Sequence, residues 1–195
     1  MAQLLVDVTP FKPILRESKE RPGVFEVEGV MQRAGAKNQN GRIYPRSILE
    51  REIMNYQKLI QENRAMGECD HPESSVVELK NVSHIVTDMW WEGKDVMGKI
   101  KVLDTPSGRI LKDLINAGVK LGISSRGLGS VKESMGSTVV QEDFELICFD
   151  IVSEPSTPDA YVYPGEPKKS FKFSTRLREQ KENNIDNLFK KILGD

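Results

Sequence analysis

The chain has 195 residues, with 28 basic and 29 acidic side chains and a formal net charge of −1. That balance gives no global attraction to nucleic acid or to an anionic membrane, and no apolar run approaches the roughly 20 residues of a spanning helix. The two cysteines, Cys69 and Cys148, make no disulfide framework, so the expectation is one folded domain with tails, soluble and made in a reducing cytosol.

Met1 to Val8 has no basic region ahead of its apolar residues, and Asp7 interrupts them, so it is not read as a signal peptide. Residues 1–22 read as a flexible leader, with Pro, Lys, Arg and Glu gathered in 10–22. Gly23 to Arg33 partly alternates apolar and polar residues and is predicted as a strand. Ala34 to Gly41 is a polar loop with Asn38, Asn40 and Gly41 as turn formers. Pro45 suits the first turn of a helix, on which Ile48, Leu49, Ile53, Tyr56, Leu59 and Ile60 repeat along one face. Gly67 and Pro72 break that helix.

Val76–Trp91 and Asp95–Leu103 are predicted strands joined by the turn Glu92-Gly93-Lys94. Ser107 is predicted to cap a second helix carrying Ile110, Leu111, Leu114 and Ile115, with Gly118 just past its end. Val119–Ser125 and Thr138–Val152 read as extended. Pro155, Pro158, Pro164 and Pro167 then mark a turn-rich exit. Residues 166–195 form a charged tail in which Ile185, Leu188, Phe189, Ile192 and Leu193 make an apolar stripe at helical spacing. That stripe fits a surface helix on its own domain, or a partner-binding or removable tail. The whole predicts an α+β domain over 23–165, a mainly antiparallel, barrel-like sheet flanked by a few helices.

Two segments carry candidate chemistry. Gly122-Ile123-Ser124-Ser125-Arg126-Gly127-Leu128-Gly129 offers a hydroxyl in a glycine-framed strand, and Gly67-Glu68-Cys69-Asp70-His71-Pro72 offers one of two histidines. A serine hydroxyl needs a neighbouring base to become a nucleophile, and that base needs a third group to fix its tautomer. Gly122, Gly127 and Gly129 would let a peptide approach the backbone closely. Ser125, Arg126 and Gly127 are candidate oxyanion support, through the backbone N–H groups after the nucleophile and the Arg126 charge. On local pattern alone, a glycine-rich strand and turn with incidental serines accounts for these residues better. His84, in Val82-Ser83-His84-Ile85-Val86, reads as a satisfied histidine near the core. A zinc site on Cys69, His71 and Cys148 has only three ligands at an unusual spacing, unlike structural zinc motifs.

Several ordered blocks between about Gly23 and Tyr163 change that weighting. They are Asn40-Gly41-Arg42-Ile43-Tyr44-Pro45, the His71 block, Asp88-Met89-Trp90-Trp91-Glu92-Gly93, the serine block, and Phe149-Asp150-Ile151-Val152 with Pro155-Ser156-Thr157-Pro158-Asp159-Ala160. Together they resemble the prohead core proteases of large tailed phages, which belong with herpesvirus assemblins. The resemblance implies an assemblin-like fold and a serine endopeptidase acting by acyl transfer without metal or organic cofactor. It carries the base to His71 and the nucleophile to Ser124, with Ser125 as the alternative. Neighbouring strand residues point to opposite faces, so one of the two serines faces the base. The third member matches Asp150. Glu68 is the alternative, and Asp70 in extended backbone would point away.

The resemblance further implies action inside an assembling prohead in the host cytoplasm. The implied substrates are prohead scaffold or core proteins and the major capsid protein, with no direct nucleic acid and no membrane partner, and with self-association possible in a capsid-confined enzyme. Such proteases prefer Glu on the acyl side, with a small or apolar residue two positions earlier. Leu15-Arg16-Glu17 before Ser18 and Leu177-Arg178-Glu179 before Gln180 fit this pattern, so self-trimming at both ends is expected. A non-catalytic scaffold or shell component is the competing reading, since a fold does not certify an activity. Such a component has no need for both His71 and Ser124.

Overall fold

The computed structural model describes residues 2–9, 16–17, 24–70, 72–119, 121–134 and 136–153. The boundary at 165/166, the proline-rich exit, the stripe Ile185–Leu193 and the site after Glu179 lie outside the described residues, as does His71.

Three sheets and two helices make up the described fold. Strands β1 (Gln3–Thr9), β8 (Gly122–Gly129) and β11 (Glu145–Val152) form a sheet in the order β1-β8-β11, antiparallel throughout. A five-stranded antiparallel sheet runs β2 (Arg16–Glu17), β3 (Phe25–Arg33), β7 (Asp95–Val102), β6 (Val82–Glu92) and β5 (Met66–Glu68). A small sheet pairs β4 (Arg42–Ile43) parallel with β10 (Ser137–Val140), and β10 antiparallel with β9 (Val131–Ser134). The class is α+β and mostly antiparallel, as predicted. The sheets do not close into a barrel among the described residues.

The first strand corrects the reading of residues 3–9 as part of a leader. Gln3–Thr9 pairs residue for residue with β8, from Gln3 opposite Gly129 to Thr9 opposite Ile123. Leu5 is fully buried among Tyr44, Leu49, Val140 and Phe144.

Helix α1 (Arg46–Gln61) buries Ile48, Leu49, Ile53 and Tyr56, the stripe its spacing predicts. Pro45 stands one residue before the helix, with ψ at 142°. The helix stops at Gln61, ahead of Gly67, because Asn63 takes the left-handed conformation (φ 55°). The N–H groups of Asn63 and Arg64 then satisfy the carbonyls of Ile60 and Leu59. Helix α2 (Pro106–Asn116) is capped by Thr105 rather than by Ser107: Thr105 Oγ1 accepts from the Gly108 N–H at 3.0 Å, and Pro106 occupies the first turn. Gly118, at φ 79°, ends it as predicted.

The hairpin β6–β7 turns at Gly93-Lys94, as its residues predict. Two other predicted strands are interrupted. Residues 76–81 form a loop and a short 3-10 turn (Leu79–Asn81) before β6. Thr138–Val152 divides into β10 and β11 around the turn at Glu142-Asp143. Val27, Met31, Val86, Val96 and Ile100 from the large sheet pack with Ile53, Tyr56, Leu111, Ile123 and Phe149 in the main core. An isolated parallel bridge between Cys69 and Ile151 ties the end of β5 to β11. It brings the chain just before His71 against the serine sheet.

Candidate active site

Strand alternation sorts the serine block into two faces. Ile123, Ser125 and Gly127 share the face that, with Phe149 and Ile151 of β11, meets the cores. Ser124 and Arg126 share the other face with Cys148 and Asp150: Ser124 lies opposite Asp150, and Arg126 opposite Cys148. Directly opposed side chains sit roughly 5 Å apart at Cβ.

The two serines differ sharply. Ser125 Oγ accepts from Gln32 Nε2 at 2.8 Å and donates to the Asp7 carbonyl at 3.2 Å. Ser124 is fully buried, and its Oγ has no hydrogen-bond partner among the described residues. A buried hydroxyl without a partner costs free energy, so such groups are rare in structural roles.

Beside Ser124 lies a fully buried ionic network. Arg126 Nη2 pairs with Glu68 Oε2 and lies 3.2 Å from Asp150 Oδ1. Its Nε is 2.9 Å from Asp150 Oδ2, but the N–H is aimed at Cys148 Sγ (3.3 Å), so the Oδ2 contact is Coulombic rather than a hydrogen bond. Arg126 Nη1 donates to the Ser74 carbonyl at 2.8 Å. Asp150 Oδ1 also accepts the Glu68 N–H at 3.1 Å, and Glu68 Oε1 accepts the Glu78 N–H at 2.9 Å. Burial works against the Arg126 charge, and its anionic neighbours outweigh that, so the guanidinium pKa stands above its ordinary value. Burial lifts the Asp150 carboxyl, while Arg126 and the Glu68 N–H hold the rise down. Burial and then Asp150 push the Cys148 thiol up, which keeps it neutral.

In this geometry the groups expected as oxyanion support are engaged elsewhere. Arg126 is 0% exposed and its guanidinium is committed to protein acceptors. The Ser125 hydroxyl is bonded on the opposite face. Strand β8 is central, flanked by β1 and β11 across residues 123–128, so its backbone N–H groups face ladder partners. Gly127 serves packing rather than substrate approach, since a Cβ there would lie 2.5 Å from Phe144 Cε2 and 2.6 Å from the Glu145 carbonyl oxygen.

Of the predicted triad, Ser124 and Asp150 lie among the described residues and His71 does not. Ser124 and Asp150 are neighbours. Glu68, the alternative acid, has both carboxylate oxygens engaged by Arg126 and Glu78. Asp70, three residues before the loop at Glu73, is exposed and left-handed (φ 67°) rather than extended, with its N–H on the Ile151 carbonyl at 2.7 Å.

His84 is the satisfied core histidine expected. Its Nε2 lies 3.0 Å from the Phe149 carbonyl, an obligate acceptor, so Nε2 carries the proton and Nδ1 accepts from Ser83 Oγ at 2.8 Å. Burial lowers its pKa to about 4, against the smaller upward pull of that carbonyl.

Sequence reading missed the role of Asp7. Its carboxylate is 1% exposed and accepts from Tyr44 Oη, from Arg42 Nη1 at 2.9 Å and from Asn40 Nδ2 at 2.7 Å. Three residues of the Asn40–Pro45 block therefore serve one carboxylate on β1. A lone acid inside an otherwise apolar stretch was the available signal.

The site is thus a serine strand between two antiparallel neighbours, with Asp150 beside Ser124. The model of the prohead core protein serine protease family matches residues 11–171, and the chain belongs to that family. It is similar to the prohead core protein protease of Enterobacteria phage T4, with 39% identity over 155 residues, covering 77% of this chain and 73% of the relative. The solved structure of the bacteriophage T4 capsid assembly protease, gp21, matches with a TM-score of 0.74 at 31% identity, over 79% of this chain and 99% of that one.

Proposed function

We propose that this prohead core protease is a serine endopeptidase in which Ser124 is the nucleophile, His71 the general base and Asp150 the acid that orients it. One observation carries the choice of serine: Ser124 Oγ is unpartnered among the described residues and shares a face with Asp150, whereas Ser125 is bonded twice on the opposite face. Ser124 Oγ attacks the scissile carbonyl carbon as His71 takes its proton, giving a tetrahedral intermediate. The His71 proton then passes to the departing amine as the C–N bond breaks. Water, activated by His71, hydrolyses the acyl ester and restores Ser124. No step calls for a metal or organic cofactor.

A fully buried nucleophile cannot meet a peptide carbonyl. Catalysis therefore requires the residues over Ser124 to move, which fits a precursor that becomes active on assembly. The substrates are the scaffold or core proteins and the major capsid protein of the prohead, cut after Glu within the assembling particle in the host cytoplasm. Self-trimming after Glu17 and Glu179 follows the same preference. Glu17 lies on β2, an edge strand of the five-stranded sheet, and edge strands are where extended chain can be taken up by another site.

Co-expression with prohead scaffold and capsid proteins, read by intact mass, tests this. The natural chain should cut after Glu, and cutting should vanish with Ser124→Ala and with His71→Ala yet survive Ser125→Ala. Loss with Ser125→Ala alone would move the nucleophile by one residue. No cutting by the natural chain in assembled particles would favour a non-catalytic scaffold component.

A further inference from the structure

Strand β1 is held by contacts that do not depend on its covalent link to β2. On its inner edge it pairs with β8 over seven positions. On its outer edge no strand follows in the sheet among the described residues. There Asn40 Nδ2 and Arg42 Nη1 both donate to the Val6 carbonyl, at 2.9 and 3.0 Å, standing in for a ladder partner. The same two groups, with Tyr44 Oη, close on the Asp7 carboxylate. Burial, and then the neighbouring Asp7 charge, raise the Tyr44 phenol well above its ordinary pKa, so it stays a donor. Leu5 fills the apolar cluster of Tyr44, Leu49 and Phe144, and the Asp7 carbonyl accepts from Ser125 Oγ.

These are the elements of strand addition to a sheet edge: main-chain pairing supplies affinity, and side-chain sites supply selectivity. We propose that the slot between β8 and Asn40–Tyr44 is a strand-docking site whose occupant is residues 3–9 of this chain, and that it keeps this segment bound after the chain is cut between β1 and β3. The site selects its occupant by a carboxylate at the Asp7 position. Losing that carboxylate leaves Arg42 without its anion and the buried Tyr44 hydroxyl without its acceptor, the costly half of a buried pair. Docking rests on the fold alone. If the chain also trims itself after Glu17, the product is a two-chain protein in which the released N-terminal peptide still braces the serine strand.

The test uses the full chain with residues 10–15 replaced by the recognition sequence of an exogenous site-specific protease, and with Ser124→Ala to silence its own activity. After cutting, native size exclusion and denaturing intact mass are run on the same fraction. The N-terminal fragment should co-elute with the remainder. With Asp7→Ala in the same cut chain, dissociation should be faster by about thirtyfold or more, and Asp7→Asn, which keeps the shape, should fall between. The uncut Asp7→Ala chain, compared by hydrogen exchange, separates weak docking from failure to fold. Loss of the natural fragment on the native column would overturn the proposal. Retention that is indifferent to Asp7→Ala in a folded chain would overturn the carboxylate's role. The cut is made by the exogenous protease and the fragment is identified by its mass, so neither outcome depends on which serine is the nucleophile.

Discussion

Ser124 and Asp150 face each other across adjacent antiparallel strands, and the Arg126 guanidinium binds Asp150 and Glu68 together. Asp150, opposite the candidate nucleophile, is therefore held in place by Arg126. Arg126 also binds the Ser74 carbonyl, so it fastens the chain on both sides of position 71, at Glu68 and at Ser74.

Substitution should separate the two serines by readout. Ser124→Ala should lower proteolysis by at least about a thousandfold and leave the melting temperature unchanged or slightly raised, because its hydroxyl is buried with no hydrogen-bond partner among the described residues. Ser125→Ala should retain proteolysis and lose about 1–2 kcal/mol of stability, since it strips hydrogen bonds from Gln32 and the Asp7 carbonyl. Thermal unfolding of the two variants beside a cleavage assay checks both halves.

Arg126→Met should be among the most damaging single changes, at about 3–5 kcal/mol, because it leaves two buried carboxylates without a cation. Arg126→Lys should recover only part of this, since one ammonium cannot serve Glu68, Asp150 and the Ser74 carbonyl at once. Urea unfolding midpoints should rank natural, Lys, Met in that order. Amides 68–70 and 73–78 should exchange faster in both variants.

Acid should destabilise the fold through His84. Its folded pKa, about 4, is below the ordinary 6.5, so the unfolded chain binds the extra proton between those values. Stability is full above about pH 6.5 and falls as pH drops toward 4, by up to about 3 kcal/mol. Asp150, raised by burial, acts in the opposite direction at the acidic end. The difference between the natural chain and His84→Gln, followed by unfolding at pH 4.5, 5.5 and 7, isolates the histidine: the gap in slope should be confined to that window.

Gly67→Ala should displace β5. An added Cβ would overlap the Phe149 carbonyl oxygen and His84 Nε2, neither of which can retreat without losing their mutual hydrogen bond. Overpacking of this kind costs typically about 1–3 kcal/mol, and the shift would pass directly to Glu68. Reduced stability together with reduced proteolysis is expected. An unchanged melting temperature would show that β5 yields more easily than its contacts indicate.

The sequence alone determined the parts whose signals are local. The apolar stripe on α1, the stop at Gly118 and the turn at Gly93 depend on residues within a few positions of one another, whereas the histidine at 84 is satisfied half by its neighbour Ser83 and half by the Phe149 carbonyl 65 positions away. Strand alternation likewise put Ser124 and Ser125 on opposite faces. Thr105 as the cap of α2 was also within local reach, since it precedes Pro106 at the start of the helix. Tertiary structure decided what depends on distant partners. Asp7 looked like a polar break in a leader, and became the buried centre of β1 because Asn40, Arg42 and Tyr44 meet its charge from more than thirty positions away. Arg126 looked available to a substrate oxyanion, and became a buried clamp because Glu68 and Asp150 lie 58 and 24 positions off in sequence. A buried charge is stable only where its counter-charges converge, and that convergence is a property of the folded chain.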